Sequence, residues 1–302
     1  MKAVVLHAYG PPSNLKYEDF ADPTAGPGEV LIRVHAAGVN PIDWKIRSGA
    51  TASRFTTTFP AILGYDFAGT VQALGEGVTG FAAGDRVFGR TDNCYAELTT
   101  VKASELAKVP EGLDLTVAGA LATPVTTADQ LIHEAVNAQP GQTILLTGAL
   151  GSVGHVALFA AIESGVKVIA GVRKQEIDKA IALGATAAID VNDDAALQSL
   201  GVVDAVADTI GGPLANKLLA HVKPGGNFGA LTGPPSDAAL HPTVTVHAFS
   251  SHPDAKAMLH YAETIRDGKL KFTADILLPL ASAAESHTKA ETGGVGKIVL
   301  TA

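Results

Sequence analysis

Short apolar runs separated by glycine and proline clusters characterise the first third of the chain. One such run covers residues 30–34, and similar runs recur from the N-terminus to about residue 109. Short apolar segments bounded by turn-forming residues are typical of β-strands. Glycine is frequent between residues 75 and 87, and it reaches positive φ at little cost, as tight barrel corners require. The pattern predicts that residues 1–109 form mainly β-structure.

The pattern changes after Pro110. Residues 115–136 are rich in helix formers, and Pro124 is expected to interrupt the helix. From residue 143 onwards, apolar runs alternate with helix-like stretches. Predicted strands cover residues 143–147, 166–170, 187–189, 202–207 and 296–300, and predicted helices cover residues 153–164 and 175–183. This alternation predicts an α/β protein in which helices cover a parallel sheet.

The turn after the run at 143–147 has the spacing of a dinucleotide-binding loop, with alanine in the first glycine place. Gly151 would let the backbone approach a pyrophosphate, and Gly154 would let the helix pack close to the strand. The helix N-terminus offers free N–H groups to the phosphates. A simple strand–helix turn is the alternative. The residues expected to contact the dinucleotide are Gly148, Ala149, Leu150, Gly151, Ser152, Val153 and Gly154.

The end of the next predicted strand bears on the choice between NADH and NADPH. Enzymes that use NAD usually have an acidic residue there, which binds the ribose 2′-OH. Here the strand ends near Gly171 without a carboxylate, and Arg173 and Lys174 follow. Two cations suit a 2′-phosphate, since guanidinium binds phosphate in bidentate fashion. We expect these three residues to contact NADPH; a solvated basic turn is the alternative.

Composition excludes several functional classes. The 302 residues are 47% hydrophobic and 17% charged, as in globular chains, and the net charge of -8 argues against nucleic-acid or membrane-surface partners. Because Cys94 is the only cysteine, neither a disulfide framework nor a multi-cysteine metal site can form. The apolar N-terminal run is too short for a signal peptide, and no stretch could span a membrane. We therefore expect a cytoplasmic protein.

Five segments are informative as an ordered set: residues 36–45, 62–71, 84–87, 144–154 and 296–300. Together they resemble the medium-chain dehydrogenase/reductase superfamily, and most closely its quinone oxidoreductase branch. The resemblance covers essentially the whole chain. It implies a GroES-like, mostly β catalytic domain of residues 1–122 and 268–302, and a Rossmann-type, doubly wound NADP-binding domain of residues 123–267. It also implies that Leu231 and Lys297 contact the cofactor.

The chain departs from the zinc alcohol dehydrogenases of that superfamily. Asn40 stands where those enzymes have a zinc-binding cysteine, and Tyr65 and Asp66 stand where they have a His-Glu pair. The cysteine-rich loop of their structural zinc is missing. The resemblance therefore implies a zinc-independent protein with no metal site. Without a Lewis acid, alcohol oxidation loses its usual driving group, whereas an electron-poor quinone or enone accepts hydride with much less help.

The resemblance also indicates the residues of the catalytic pocket. Lys45 would stabilise the enolate or hydroquinone anion that forms as hydride arrives, and Asn40, Tyr65 and Thr127 would line the same pocket. Residues 124–126 depart from the glycine-rich sequence of relatives and would reshape the pocket mouth. The alternatives are that Lys45 is a surface lysine and that Asn40 is a buried amide fixing a turn.

The leading functional hypothesis is an NADPH-dependent reductase that transfers hydride to quinones. Two alternatives stay open: an NADPH-dependent enone or alkenal double-bond reductase, and a non-catalytic NADPH-binding protein. Sequence does not separate quinones from enones, since both are flat, apolar, electron-poor acceptors. A homodimer is expected through the edge of the Rossmann sheet, formed by the strands around Val244 and Ile276.

Overall fold

A computed structural model describes residues 1–54 and 56–302 of the chain. Its strands are β1 (Lys2–Leu6), β2 (Leu15–Asp19), β3 (Glu29–Gly38), β4 (Ala61–Ile62), β5 (Asp66–Leu74), β6 (Arg86–Arg90), β7 (Leu98–Lys102), β8 (Leu106–Lys108), β9 (Thr143–Thr147), β10 (Lys167–Val172), β11 (Ala187–Asp190), β12 (Val203–Asp208), β13 (Val222–Ala230), β14 (Thr245–Ala248), β15 (Ile276–Pro279) and β16 (Ile298–Thr301). Its α-helices are α1 (Pro41–Ser48), α2 (Leu115–Ala118), α3 (Ala122–Gln130), α4 (Ser152–Glu163), α5 (Ile177–Ala182), α6 (Asp194–Gln198), α7 (Gly212–Leu219), α8 (Ala255–Arg266) and α9 (Ala283–Thr292).

The chain divides into two compact units. The first comprises Met1–Thr123 and Pro253–Ala302, and the second comprises Pro124–His252. The predicted division assigned residues 253–267 to the nucleotide-binding part, whereas α8 lies in the first unit and packs near β8. The apolar side of α8, which includes the buried Met258 and Tyr261, accounts for this placement.

The first unit is built from two sheets that share a large apolar core. The smaller has the order β2-β1-β4, and the larger has the order β15-β16-β3-β5-β6-β8, with β7 paired to β3. All of these pairs are antiparallel except β15 with β16. The mostly β, GroES-like character predicted for this part is confirmed. One helix, α1, interrupts the expected β-structure: it begins at Pro41, whose fixed φ suits the first helical position.

The second unit is a parallel six-stranded sheet with the order β11-β10-β9-β12-β13-β14. The chain runs outwards from β9 in one direction and then from β12 in the other, so the order reverses between these two strands. In doubly wound sheets, ligands bind at the carboxyl ends of the strands at such a reversal. The predicted Rossmann-type fold is confirmed, and its switch point lies beside the turn that follows β9.

Two local expectations are wrong. Pro124 does not interrupt a helix, because it lies in the first turn of α3, where backbone N–H groups need no partner within the helix. The strand at Ile276 is not part of the Rossmann sheet: β15 pairs with β16 and forms an edge of the larger sheet of the first unit. An apolar run of this length fits a strand in either sheet, and only its pairing partner distinguishes them.

The helices of the described residues, 1–54 and 56–302, are short. The longest α-helices, α4 and α8, have 12 residues each. None of the described helices has the length and apolarity that a bilayer crossing requires.

Candidate active site

A buried polar cluster, which we call the Asn40 centre, lies in the first unit and consists of Asn40, Asp43, Asp66, Tyr95 and Lys297. The chain leaves β3 at Gly38 and enters α1 at Pro41, so Asn40 is the capping residue of this helix. Its backbone N–H donates to Asp43 Oδ2 at 2.8 Å, in the manner of a capping box. The side chain of Asn40 is therefore free to bond elsewhere.

The side-chain amide of Asn40 bridges a carboxylate and an ammonium group. Its Nδ2 donates to Asp66 Oδ2 at 2.9 Å, and its Oδ1 accepts from Lys297 Nζ at 2.7 Å. Lys297 Nζ also lies 3.7 Å from Asp66 Oδ2. All three side chains are buried, and burial lowers the pKa of Lys297 while the Asp66 and Asp43 carboxylates oppose that shift. Lys297 was predicted to contact the cofactor. In the structure, its ammonium group is bound by Asn40 and Asp66.

Asp43 is the carboxyl group of the Asn40 centre that accepts hydrogen bonds at only one of its two oxygens. Its Oδ2 accepts from the Asn40 N–H and from the Tyr95 hydroxyl at 2.9 Å, whereas its Oδ1 is buried without a hydrogen-bond partner among the described residues. Burial raises the pKa of Asp43 to about 7. The hydrogen bonds from Asn40 and Tyr95 and the Lys297 ammonium limit the rise, and Asp66 adds to it.

Tyr95 reaches Asp43 because a glycine lies beside its ring. A Cβ at Gly64 would lie 2.4 Å from the Tyr95 ring, and the φ of Gly64 is +92°, which few other residues adopt. The backbone is fixed here as well, since Tyr95 N–H donates to the carbonyl of Leu63 at 2.9 Å. Neither Asp43 nor Tyr95 was among the predicted site residues. The Asn-x-x-Asp spacing from Asn40 was the available signal for Asp43.

A cavity of about 480 Å³ lies next to the centre, and Asp43 and Tyr65 are among its lining residues. Its size is in the range of pockets that take small organic ligands. Tyr65 is half-buried, and the guanidinium of Arg90 lies 5.5 Å from its ring centre. Burial, foremost, raises the pKa of the Tyr65 hydroxyl to about 12, so it stays protonated at neutral pH. A second cavity of about 450 Å³ shares Thr58 and Ala61 with the first.

The side chains at the zinc-ligand places do not fit a zinc ion. Structural and catalytic zinc sites use thiolate, imidazole and carboxylate ligands. Here Asn40 supplies an amide, and the ammonium of Lys297 is bound where it would repel a cation. Across residues 1–54 and 56–302, no three His, Cys, Asp or Glu side chains are grouped so that they could hold a metal ion. Cys94 is buried, and burial raises the pKa of its thiol well above the usual value.

The remaining predicted catalytic residues are Lys45 and Thr127. Lys45 is on α1, half-buried, with its ammonium 5.6 Å from the ring centre of Trp44. The described lining of the 480 Å³ cavity does not include it. Thr127 is on α3 in the second unit, where it is buried and hydrogen-bonded to Ser251 at 2.7 Å between the hydroxyl oxygens.

The predicted phosphate-binding turn joins β9 to α4 in the second unit. A Cβ at Gly154 would lie 2.0 Å from the carbonyl oxygen of Gly148, so only glycine lets the helix approach the turn this closely. A Cβ at Gly151 would meet only that oxygen, at 3.3 Å, and would otherwise extend into open space before the helix. Gly151 caps α4 without a side-chain hydrogen bond, so the first N–H groups of the helix stay available. The turn therefore fits the phosphates of a dinucleotide.

The same turn is fixed to the neighbouring strand across the switch point. Thr147 Oγ1 donates to Asp208 Oδ1 at 2.6 Å and accepts from the backbone N–H of Thr209 at 3.0 Å. Asp208, at the end of β12, also accepts the N–H groups of Ile210 and Gly211. Leu231 follows β13 directly, and its N–H donates to the Asp208 carbonyl at 3.0 Å. These bonds hold the ends of β9, β12 and β13 at one edge.

The predicted 2′-phosphate residues follow β10, where Gly171 forms part of the strand. Arg173 and Lys174 are exposed, and the Arg173 guanidinium donates to both carboxylate oxygens of Glu176, at 3.1 and 2.5 Å. This pairing raises the pKa of Arg173 and lowers that of Glu176. Glu176 was not predicted, although its place three residues after Arg173 was visible in the sequence. A phosphate at Arg173 would have to compete with this carboxylate.

Comparison with known proteins agrees with this geometry. Residues 26–137 match the family described as alcohol dehydrogenase GroES-like domain, and residues 183–300 match the family described as zinc-binding dehydrogenase. The quinone oxidoreductase of Pseudomonas aeruginosa is 31% identical over 312 residues, which cover 95% of each chain. The chloroplastic NADPH-dependent alkenal/one oxidoreductase of Arabidopsis thaliana is 30% identical over 320 residues, 99% of this chain and 79% of that protein.

Solved structures give the same assignment. The quinone oxidoreductase from Coxiella burnetii superposes with a TM-score of 0.93 at 30% identity, covering 100% of this chain and 99% of that one. A mycobacterial protein solved in complex with NADPH superposes with a TM-score of 0.87 at 27% identity, covering 100% of both chains. The chain is thus an oxidoreductase that belongs to the quinone oxidoreductase branch of the medium-chain dehydrogenase/reductase superfamily, as its sequence motifs predicted.

Proposed function

We propose that this protein reduces quinones with NADPH and without zinc. The observation that carries the proposal is the Asn40 centre. There, Lys297, Asn40 and Asp66 form hydrogen bonds and an ion pair with one another at the place where zinc enzymes bind their metal. A site without a Lewis acid cannot strongly polarise an alcohol. It suits an acceptor that is already electron-poor, such as a quinone, and the 480 Å³ cavity beside Asp43 has the size for one.

The cofactor residues are those of the second unit. The N-terminus of α4 and the turn 148–151 would hold the pyrophosphate, and Arg173 with Lys174 would hold the 2′-phosphate. Gly171 and Leu231, at the carboxyl ends of neighbouring strands, would lie against the nucleoside. When bound, NADPH supplies the hydride, with its two electrons, and leaves as NADP⁺.

Reduction of enones or alkenals is the second candidate. The similarity to the Arabidopsis alkenal/one oxidoreductase supports it. Reduction of an enone also requires the same kind of site as reduction of a quinone. In both reactions negative charge develops on an acceptor oxygen, and a donor or cation must stabilise it. A protein that binds NADPH without turnover is less consistent with the cavity, whose lining includes Asp43 and Tyr65.

The experiment that tests the proposal measures NADPH oxidation by the purified protein with a panel of small quinones and enones. We expect turnover with quinones, no stoichiometric zinc by elemental analysis, and full activity after chelator treatment. Consumption of NADPH with none of the acceptors would favour the non-catalytic alternative. Tightly bound zinc that turnover requires would contradict the zinc-independent mechanism.

Arg173 is expected to select NADPH over NADH. A charge-assisted bond to phosphate is stronger than a neutral one by about 1.5 kcal/mol, which is roughly tenfold in affinity. Arg173→Ala should raise the Michaelis constant for NADPH about tenfold and barely change that for NADH. Glu176→Gln should lower the constant for NADPH, because the competing carboxylate bonded to Arg173 is removed. Arg266→Ala, which breaks the exposed pair with Asp267, is the matched control. Equal effects of Arg173→Ala on both cofactors would contradict this role.

The family resemblance predicts that Lys45 stabilises the anion formed on the acceptor, although the described lining of the 480 Å³ cavity does not include Lys45. Losing such a donor typically costs about 10²–10³ in turnover. We expect Lys45→Ala to keep NADPH binding and to lower kcat at least about tenfold, more for enones than for quinones, since quinones are better electrophiles. Lys45→Arg should recover only part, because a planar guanidinium differs from a compact ammonium. Lys16→Ala, at an exposed position of β2, serves as control. Normal turnover of both acceptor classes by Lys45→Ala would show that Lys45 has no catalytic role.

We further propose a homodimer that forms through β14, the edge strand of the Rossmann sheet. β14 pairs with β13 on one side, and its open side could pair with the same strand of a second chain. Light scattering at micromolar concentration should give twice the 30.8 kDa mass of one chain, and a proline in place of Val246 should favour the monomer. A wild-type protein with the mass of a single chain would contradict the dimer.

A further inference from the structure

The loop between α1 and β4 contributes part of the lining of the 480 Å³ cavity. Three of its residues, Thr56, Thr57 and Thr58, belong to that lining, and we call them the threonine wall. Thr58 also lines the 450 Å³ cavity, together with Ala61, so the loop borders open space of both cavities. A segment beside open space keeps a fixed position only where specific contacts hold it. The contacts of the threonine wall therefore affect the shape of the 480 Å³ cavity.

Tyr9 contacts the threonine wall and the residue that follows it. The backbone N–H of Thr57 donates to the Tyr9 hydroxyl oxygen at 3.3 Å. The Tyr9 ring packs edge-on against Phe59, with the ring centres 4.8 Å apart and the ring planes at 81°. Tyr9 is half-buried, and the described lining of the 480 Å³ cavity does not include it. Tyr9 therefore acts on the cavity through the threonine wall.

Tyr9 is itself held in place by the residues around it. Asn14 Nδ2 donates to the Tyr9 carbonyl oxygen at 3.0 Å. The next residue, Gly10, is bonded twice to Arg47 of α1: its N–H donates to the Arg47 carbonyl at 3.0 Å, and its carbonyl accepts from the guanidinium at 2.6 Å. At Gly49, directly after α1, a Cβ would lie 3.2 Å from the Tyr9 ring, so glycine permits this close approach. The ring is therefore a fixed support for the threonine wall.

We propose that Tyr9 is a positioning residue that raises the affinity for the acceptor by holding the threonine wall in place. This assignment rests on the proposed function, in which the acceptor occupies the 480 Å³ cavity. A wall that is already held does not have to be ordered when the acceptor binds, so binding costs less conformational entropy. The wall contacts the acceptor equally before and during hydride transfer. Tyr9 therefore contributes to binding of the acceptor and not to the rate of the chemical step.

The chemistry of the threonine wall indicates which part of the acceptor it binds. A threonine hydroxyl can donate one hydrogen bond and accept others, so it suits a carbonyl oxygen. One carbonyl oxygen of the acceptor takes up negative charge during hydride transfer and needs its own stabilising group. A quinone has a second carbonyl oxygen on the same ring, whereas a simple enone has none. We expect the threonine wall to bind this second oxygen, so that Tyr9 matters more for quinones than for enones.

The test is the steady-state kinetics of Tyr9→Phe with a quinone and with a simple enone, measured on the whole protein. Phenylalanine keeps the ring against Phe59 but leaves the Thr57 N–H without its acceptor. KM for the quinone should rise about fivefold, as for the loss of one neutral hydrogen bond, and KM for the enone should rise less. We expect wild-type kcat, and wild-type KM for NADPH, whose predicted phosphate-binding turn lies in the second unit. Tyr17→Phe, at an exposed position of β2, is the matched control.

A second measurement on the same variant does not depend on activity. Hydrogen exchange of the Thr57 amide, followed by NMR, should be several-fold faster in Tyr9→Phe than in the wild type, because this N–H has lost its acceptor. The Tyr95 amide donates to the carbonyl of Leu63, another residue of the cavity lining, and should exchange at the wild-type rate. This pair of amides separates a local change at the threonine wall from a general loss of stability.

The outcomes separate this proposal from the proposed function. If the wild type oxidises no NADPH with any acceptor, the function itself is wrong and the role of Tyr9 falls with it. If the wild type is active and Tyr9→Phe keeps the wild-type KM for the quinone, or the wild-type exchange rate at Thr57, Tyr9 does not position the wall. Equal rises in KM for NADPH and both acceptors would show a general structural effect and would also overturn the proposal. Equal rises for quinone and enone alone would support the positioning role and contradict the contact with the second carbonyl.

Discussion

The buried ammonium of Lys297 is the constraint around which the Asn40 centre of the first unit is organised. A charge removed from water must be neutralised and hydrogen-bonded, and removing one partner of a buried pair typically costs about 3–5 kcal/mol. Lys297 meets this requirement with Asn40 and Asp66. Register places the three residues together: Gly38 of β3 lies opposite Asp66 of β5 on one side and Val299 of β16 on the other. The polar centre thus fixes one end of three neighbouring strands, and Asp43, which accepts from the Tyr95 hydroxyl, is the residue of the centre that lines the cavity.

The parts of the protein that could be predicted from sequence are those that depend on neighbouring residues. The Rossmann turn, with Gly151 and Gly154, is a contiguous pattern, and its strand and helix follow the predicted order. Arg173 and Glu176 are also near neighbours, so their pairing was open to sequence reasoning although it was missed. The order of the motifs along the chain identified the fold class, because members of the superfamily share the same two unlike domains.

Long-range contacts could not be predicted in this way. Tyr95 and Asp43 are 52 residues apart, and Lys297 and Asn40 are 257 residues apart. No local periodicity links such residues, so Lys297 was predicted as a cofactor contact and not as a partner of Asn40. The strand at Ile276 was assigned to the wrong sheet for the same reason, because its apolar residues do not identify the strand with which it pairs.

The route of the chain through the two units has a consequence for biosynthesis. The second unit is one continuous segment, Pro124–His252, whereas the first needs both ends of the chain. On the ribosome the parallel sheet of the second unit can close while the first unit still lacks β16, which pairs with β3, and Lys297, which forms an ion pair with Asp66. Until β16 and Lys297 emerge, the Gly38 end of β3 lacks its pairing with β16, and Asp66 lacks its ion pair with Lys297. Nascent chains at this stage expose a strand edge that can pair with other chains, and the arrival of β16 and Lys297 completes the Asn40 centre.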